Sequence, residues 1–217
     1  MVACMIDYAI FIQARLGSTR FPKKVLQQIA GKRVLDHVLE ACQATGLKVF
    51  LLTPESEQKF FSDNFNVEVF GGSEQDVLSR FVNCAQQNDV RNIVRITSDC
   101  PCLPTTHIEA VIQEHKNNQD SFVSNVAYHE GTYKSLTNIP DGFDVEIFSR
   151  ELLKLAGNNA IDKKDREHVT SWMRKNCKTY TPSMYLFLEG KFSFDNENDL
   201  KRLESNFEIL RSLKTLY

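Results

Sequence analysis

Ala9-Ile10-Phe11-Ile12 runs directly into Gln13-Ala14-Arg15-Leu16-Gly17-Ser18-Thr19-Arg20-Phe21-Pro22-Lys23-Lys24. The first four residues are apolar, with two β-branched isoleucines, and have the length of a buried strand; glycine, proline and hydroxyl residues then break the run. A strand therefore feeds a long polar loop. Beyond it, Val34, Leu35, Val38, Leu39 and Cys42 recur at helical spacing, and Val49–Leu52 is a second short apolar run. Strand, helix and strand in succession predict a βαβ unit.

The alternation continues with a helix near Glu55–Phe65, a strand at Val67–Phe70, a helix over Glu74–Gln87 and a strand at Asn92–Thr97. Val77, Leu78, Phe81 and Ala85 share one face of the third helix. Strands that alternate with helices need crossover connections, so the fold class is α/β, with a mostly parallel sheet covered by helices on both faces. Ligands in such a sheet collect at the carboxyl ends of the strands. After Asn125 the pattern loosens: Ala127–Asn138 is polar and poorly periodic, Asp144–Phe148 reads as a strand and Glu151–Leu155 as a short helix. Lys191–Asp195 reads as a late strand, and Leu200, Leu203, Phe207, Leu210 and Leu213 stripe a closing helix. The expectation is one domain over residues 1–217, with an irregular elaboration at about 126–190.

The 217 residues are 42% hydrophobic and 25% charged, with a formal net charge of −2. That composition is globular, and its charge gives no overall positive field to attract nucleic acid. Apolar runs such as Phe122–Asn125 are far too short to cross a membrane. Met1–Asp7 lacks a signal-type pattern, which predicts a cytoplasmic protein. Six cysteines scattered through periodic segments read as reduced core thiols. Cys100-Pro-Cys102 has no second Cys/His pair at finger-like spacing, so zinc is not expected.

The loop after the first strand places Arg15, Arg20, Lys23 and Lys24 beside Gly17 and two hydroxyls. Glycine admits close backbone approach, and Arg and Lys supply charge-assisted hydrogen bonds, which is the mixture that a polyphosphate requires. The loop is not a Walker loop, and the chain has no Gly-x-Gly-x-x-Gly. Asp99 ends the strand of Arg95-Ile96-Thr97-Ser98-Asp99-Cys100-Pro101, where a carboxylate can hold a metal-bridged phosphate. Asp195, before the closing helix, is placed similarly. Plainer readings stand beside these: a solvated basic turn for the loop, and helix N-caps for Asp99 and for Asp195 or Asn196.

Ala-Arg-x-Gly-Ser-x-Arg-x-Pro-x-Lys at Ala14–Lys24, Arg-x-Thr-x-Asp-Cys-Pro at Arg95–Pro101 and Asp195–Leu200 resemble motifs of the cytidylyltransferases that activate acidic sugars, including the ketodeoxyoctonate and acylneuraminate enzymes and above all their spore coat polysaccharide SpsF-type branch. The resemblance covers most of the chain. It implies a three-layer α/β/α, Rossmann-like, nucleotide-diphospho-sugar transferase fold, CTP and a sugar as substrates, Mg2+ as cofactor and a homodimer formed through the segment after Asn125. In that reading Arg15, Lys24 and Asp99 are catalytic, and Asp99 and Asp195 hold the metal. Ala14, Arg15, Gly17, Ser18, Arg20, Lys24, Ser73, Arg80 and Thr97 bind nucleotide, while Lys23 is a bystander. Asp144, Glu146, Arg166 and His168 lie near the acceptor. Ser98 stands where this branch more usually has glycine, and Asn138-Ile139 where it has Thr-Tyr. For Arg80 the plainer reading is an exposed helical arginine, and for His168 a structural residue. Two other functions remain open: a metal-dependent glycosyltransferase with a nucleotide-sugar donor, and a non-catalytic nucleotide-binding protein.

Overall fold

The computed structural model describes residues 5–17, 21–126, 139–182, 191–196 and 198–214, with backbone alone at 206 and 208–214. Chain order begins β1 (Ile6–Gln13), a short hairpin of β2 (Gln28–Ile29) and β3 (Lys32–Arg33), α1 (Val34–Gln43), β4 (Lys48–Pro54), α2 (Gln58–Asn64), β5 (Glu68–Gly72), α3 (Val77–Gln87) and β6 (Val90–Thr97). It continues through α4 (Thr105–Asn117), β7 (Phe122–Ser124), β8 (Glu146–Ser149), α5 (Arg150–Asn159), α6 (Lys163–His168), α7 (Ser171–Asn176), β9 (Thr179–Tyr180) and α8 (Asp199–Lys214).

Seven strands form one sheet in the order β5-β4-β1-β6-β8-β7-β9. β1 pairs in parallel with both β4 and β6, β4 with β5, and β7 with β9, whereas β8 runs antiparallel between β6 and β7. The pleat divides β1 between two cores: Tyr8, Ile10 and Ile12 pack with α1 and α4 on one face, and Ala9 and Phe11 pack with α3 and α5 on the other. A strand buried on both faces is apolar at every position rather than at alternate ones. The result is the mostly parallel, three-layer α/β/α architecture.

Three elements differ from the sequence reading. α4 has no clear apolar stripe in sequence because two of its buried positions are His107 and His115. Within 126–190 the expected strand and short helix are present as β8 and α5, while α6, α7 and β9 are further elements that the sequence reading does not give; Ala127–Asn138 lies outside the described residues. Lys191–Asp195 is not a strand: Lys191 forms a single bridge with Asp141, and the N–H groups of Phe192 and Phe194 donate to the carbonyls of Asp141 and Asp99 at 2.6 and 2.8 Å. The segment is held by loop ends instead of by a ladder. The cysteines Cys42, Cys84, Cys100, Cys102 and Cys177 are free thiols, and among the described residues no helix is long and apolar enough to cross a membrane.

Candidate active site at the carboxyl ends of β1 and β6

Gln13 and Thr97, the last residues of β1 and β6, are partners in the parallel register, so the loops that follow them leave the sheet side by side. The β1 loop is anchored on three sides. Ala14 N–H donates to the Leu52 carbonyl at 3.0 Å, Leu16 N–H to Glu57 Oε2 at 2.8 Å, and Lys23 N–H back to the Leu16 carbonyl at 2.8 Å. Lys23 is exposed, in the left-handed region with φ 57°. The short 3-10 turn Lys24–Leu26 buries Val25 and turns Lys24 inward.

Lys24 Nζ lies 2.6 Å from Asp99 Oδ2 and 3.7 Å from Asp195 Oδ1. Two aspartates almost a hundred residues apart thus meet on one ammonium. Burial pushes the Asp99 carboxyl up, but the Lys24 charge and the hydrogen bonds to Lys24 and Thr97 outweigh it and hold its pKa below the usual value. Asp99 is not the cap of α4. α4 begins six residues after Asp99, with Pro104 at its N-cap position. Ahead of α8, Asn196 takes the N–H of Asn198 at 3.0 Å, and Asp199 takes those of Asp195 and Asn196 at 2.8 and 3.1 Å. Arg202 fixes the same segment by donating to the carbonyls of Lys191 and Ser193 at 2.9 and 3.2 Å. Lys191 is also bonded to the Asp195 carboxylate.

Above this pair opens a cleft of about 280 Å³, lined by the β1 end and loop, by Val77 and Arg80 of α3, by the β6 end from Arg95 to Asp99, and by Glu167 and His168 of α6. Its cations are Arg15, Lys24, Arg80 and Arg95, against the carboxylates of Asp99 and Glu167. A basic cleft with paired aspartates at the crevice of a parallel sheet has the chemistry to hold a metal-complexed polyphosphate. The family model described as cytidylyltransferase matches residues 9–213. The chain belongs to the cytidylyltransferase family.

Spore coat polysaccharide biosynthesis protein SpsF of Bacillus subtilis is 25% identical over 222 residues, covering 94% of this chain and 88% of that one. A 3-deoxy-manno-octulosonate cytidylyltransferase of Actinobacillus pleuropneumoniae is 34% identical over 120 residues, which are 52% of this chain and 48% of that protein. Among solved structures, a cytidylyltransferase from Leptospira borgpetersenii superposes with a TM-score of 0.79 at 25% identity, covering 94% of this chain and 87% of that one. Family membership selects nucleotidyl transfer over the glycosyltransferase and non-catalytic readings.

Of the residues singled out from sequence, this cytidylyltransferase brings Ala14, Arg15, Lys24, Arg80, Thr97, Asp99 and His168 to the cleft wall, with Asp195 joined through Lys24. Ser18 and Arg20 lie outside the described residues. Gly17 and Ser73 are not among the cleft-lining residues; Ser73 offers its carbonyl to Arg80, which is 2% exposed and so not the exposed helical arginine that the plainer reading expects. Arg166 is directed elsewhere: it donates to Asp76 Oδ2 at 2.6 and 2.8 Å and to the carbonyls of Gly157 and Ala160, tying α6 to the start of α3 and the end of α5. Asp144 is half-buried and is not among the cleft-lining residues.

Glu146 is 1% exposed and sits behind the wall rather than in it. It bonds Arg95, accepts from Arg174 Nε at 2.9 Å and takes the Thr170 hydroxyl at 3.0 Å. Burial alone would raise its pKa; the guanidiniums of Arg174 and Arg95 hold it low. Thr170 in turn donates its N–H to the His168 carbonyl at 2.6 Å, closing a γ-turn of the rare hand at Val169, with φ 61° and ψ −58°. A buried β-branched residue there is strained by about 1–3 kcal/mol, and strain of this kind gathers at functional sites. Burial, then the nearby charges of Arg95, Lys164 and Arg15, lower the His168 pKa against the opposing pull of Glu167, so the imidazole is neutral near pH 7.

The sequence reading gave no role to Arg95, Gln13 or Glu57. Arg95 stands inside a quoted motif, but only the tertiary structure shows it held by Glu146 and by Gln13 Oε1 at 3.0 Å, with its side chain on the cleft wall. Nothing local marks Glu57, which reaches the β1 loop from 41 residues away.

Proposed function

We propose that this cytidylyltransferase transfers CMP from CTP to a hydroxyl of a keto-sugar acid, releasing pyrophosphate, and that the activated sugar serves surface polysaccharide synthesis. The observation that carries the reading is the Lys24 ammonium between Asp99 and Asp195 at the foot of a basic cleft. The likeness to SpsF and to a 3-deoxy-manno-octulosonate cytidylyltransferase supports an acidic sugar as the acceptor.

The donor set fits Mg2+. Magnesium takes hard oxygen ligands, needs only one or two protein carboxylates, and completes its shell with phosphate oxygens and water. Asp99 and Asp195 supply two carboxylates already converging on a cation, which is why no cluster of three acidic or thiol ligands is needed, nor found among the described residues. Bound there, Mg2+ would supply Lewis-acid polarisation of the α-phosphate.

The acceptor oxygen attacks the α-phosphorus, its bond to that phosphorus forms as the bond to the β-phosphate bridging oxygen breaks, and pyrophosphate leaves with the electron pair. Arg15 and Lys24 bind the phosphates and stabilise charge on the departing pyrophosphate, with Gly17, Ser18 and Arg20 of the same loop assisting. Thr97 lines the nucleotide's floor. His168, neutral at pH 7, offers an acceptor for the attacking hydroxyl's proton or hydrogen bond. Glu146 acts through Arg95 and Thr170, not by touching substrate. The protein works in the cytoplasm as a homodimer joined through the segment after Asn125.

Incubating the protein with CTP, Mg2+ and a panel of keto-sugar acids, and measuring pyrophosphate, tests the proposal. Turnover with at least one acid is expected, and none with any acid would overturn it. Asp99→Asn should lower turnover by roughly 100-fold or more, with the melting temperature nearly unchanged. Undiminished turnover would remove Asp99 from the metal site.

A further inference from the structure

The basic lining of the cleft has two ends. Lys24 and Asp99 mark one, at β6. Arg80 marks the other: its Nη1 donates to the carbonyl of Leu52, in β4, at 3.1 Å, and its Nε and Nη2 to the carbonyl of Ser73 at 3.2 and 2.6 Å. β4 and β6 flank β1 on opposite sides, two strand spacings apart or roughly 10 Å. The wall between them includes Ala14 and Val77, both apolar and largely buried.

Arg80 is 2% exposed, and among the described residues it makes no ion pair with a carboxylate. Its named partners are backbone carbonyls. Burial, then the nearby Arg15 charge, brings its pKa down to about 10 against the opposing pull of the Glu57, Glu74 and Asp76 carboxylates, leaving it charged at neutral pH. A guanidinium has five N–H donors, and three bonds leave two. The double bond to Ser73 fixes its plane, so that little rotamer freedom remains to be lost when a flat ligand edge arrives. Gly72 makes room for this placement: a Cβ there would come within 2.9 Å of Arg80 Cγ.

We propose that Arg80 is the residue that selects cytosine, its two remaining N–H groups donating to the ring acceptors O2 and N3 while the base lies against Ala14 and Val77. Uracil carries a hydrogen on N3, so the same edge would set donor against donor and leave a buried cation poorly satisfied. The inference rests on the reading that CTP occupies the cleft. It assigns Arg80 to the base rather than to the phosphates, because Lys24 and the two aspartates gather at the opposite end, while the start of the β1 loop, Ala14 and Arg15, runs between the two.

Calorimetric binding of CTP and UTP in the presence of Mg2+ tests it. Wild type should prefer CTP by roughly 10- to 100-fold. Arg80→Met should weaken CTP by a similar factor, leave UTP almost unchanged and bring the preference near unity. Equal losses for both nucleotides, with the preference intact, would place Arg80 on the phosphates and overturn the inference. Two further measurements do not depend on that variant folding. Gly72→Ala, which displaces Arg80 without removing it, should lower the preference several-fold, and an unchanged preference counts against the proposal. N3-methyl-CTP, which lacks the N3 acceptor, should bind wild type no better than UTP, and affinity equal to that of CTP would overturn the assignment. If wild type binds neither nucleotide, the proposed function falls and the inference with it; if it binds CTP and UTP equally, only the inference falls.

Discussion

At the scale of single residues, Lys24 is the centre of the candidate site because its ammonium faces two carboxylates that would otherwise repel one another. It lies 2.6 Å from Asp99 and 3.7 Å from Asp195, so under the proposed function a divalent cation and this ammonium would compete for the same oxygens. Loading would then be an exchange in which the phosphates take Lys24 while the metal takes the aspartates. Lys24→Met should therefore raise the affinity of the nucleotide-free protein for Mn2+ by roughly 10-fold, at about 1.4 kcal/mol per decade, while depressing turnover. Electron paramagnetic resonance titration with Mn2+ measures this directly, and an affinity equal to or weaker than wild type would contradict the exchange. Lys23 and Lys24 are adjacent and chemically alike. The left-handed turn at Lys23 is what points one outward and the other in.

At the scale of elements, Asp195 owes its position to a backbone packing contact at Gly142. That glycine has φ 99°, and a Cβ on it would collide with the backbone of Phe192 and Ser193. Gly142→Ala combines left-handed strain of about 1–3 kcal/mol with a clash that only movement of the 191–195 segment can relieve. The expected result is a lower melting temperature together with weaker Mn2+ binding in the presence of CTP. A variant that melts early but binds Mn2+ as wild type does would show that Asp195 is positioned independently of Gly142. The same scale explains why Lys191–Asp195 misleads as sequence. Its alternation fits a strand, but its partners are the ends of the loops at Asp141 and Asp99.

At the scale of the whole molecule, the buried histidines of α4 make stability depend on pH. Burial lowers the pKa of His107 from its ordinary value to about 4, and that of His115 is also lowered, burial again being the first cause. Below about pH 6.5 the unfolded chain binds protons that the folded protein refuses, so stability falls as pH drops through the window from 6.5 to about 4. For His107 this amounts to about 3 kcal/mol. Urea unfolding across that window should show the decline, and His107→Leu should flatten it; an equal slope in the variant would assign the decline to other groups.

Much of this molecule was legible in the chain itself. Apolar runs of strand length at Ala9–Ile12 and Val49–Leu52, and the β-branched stretch Asn92–Thr97, separated by helical spacing, point to a parallel sheet, because burial on both faces leaves its signature in consecutive residues. The glycine and cations of Ala14–Lys24 point to anion chemistry for the same local reason: residue type and spacing within one loop limit what the backbone and charges can do. Other features arise only when distant segments meet. Nothing in the neighbourhood of Glu146 says that Arg95 and Arg174 will enclose it behind the cleft, or that Arg166 will turn to Asp76. The resemblance singles out Arg80 for the nucleotide, but only the tertiary structure shows Leu52 and Ser73 closing over it. Sequence determined the sheet, its loops and the kinds of side chain available; tertiary structure decided which of those side chains face the cleft and which are neutralised beneath it, because electrostatic partnership depends on distance in space and not on separation along the chain.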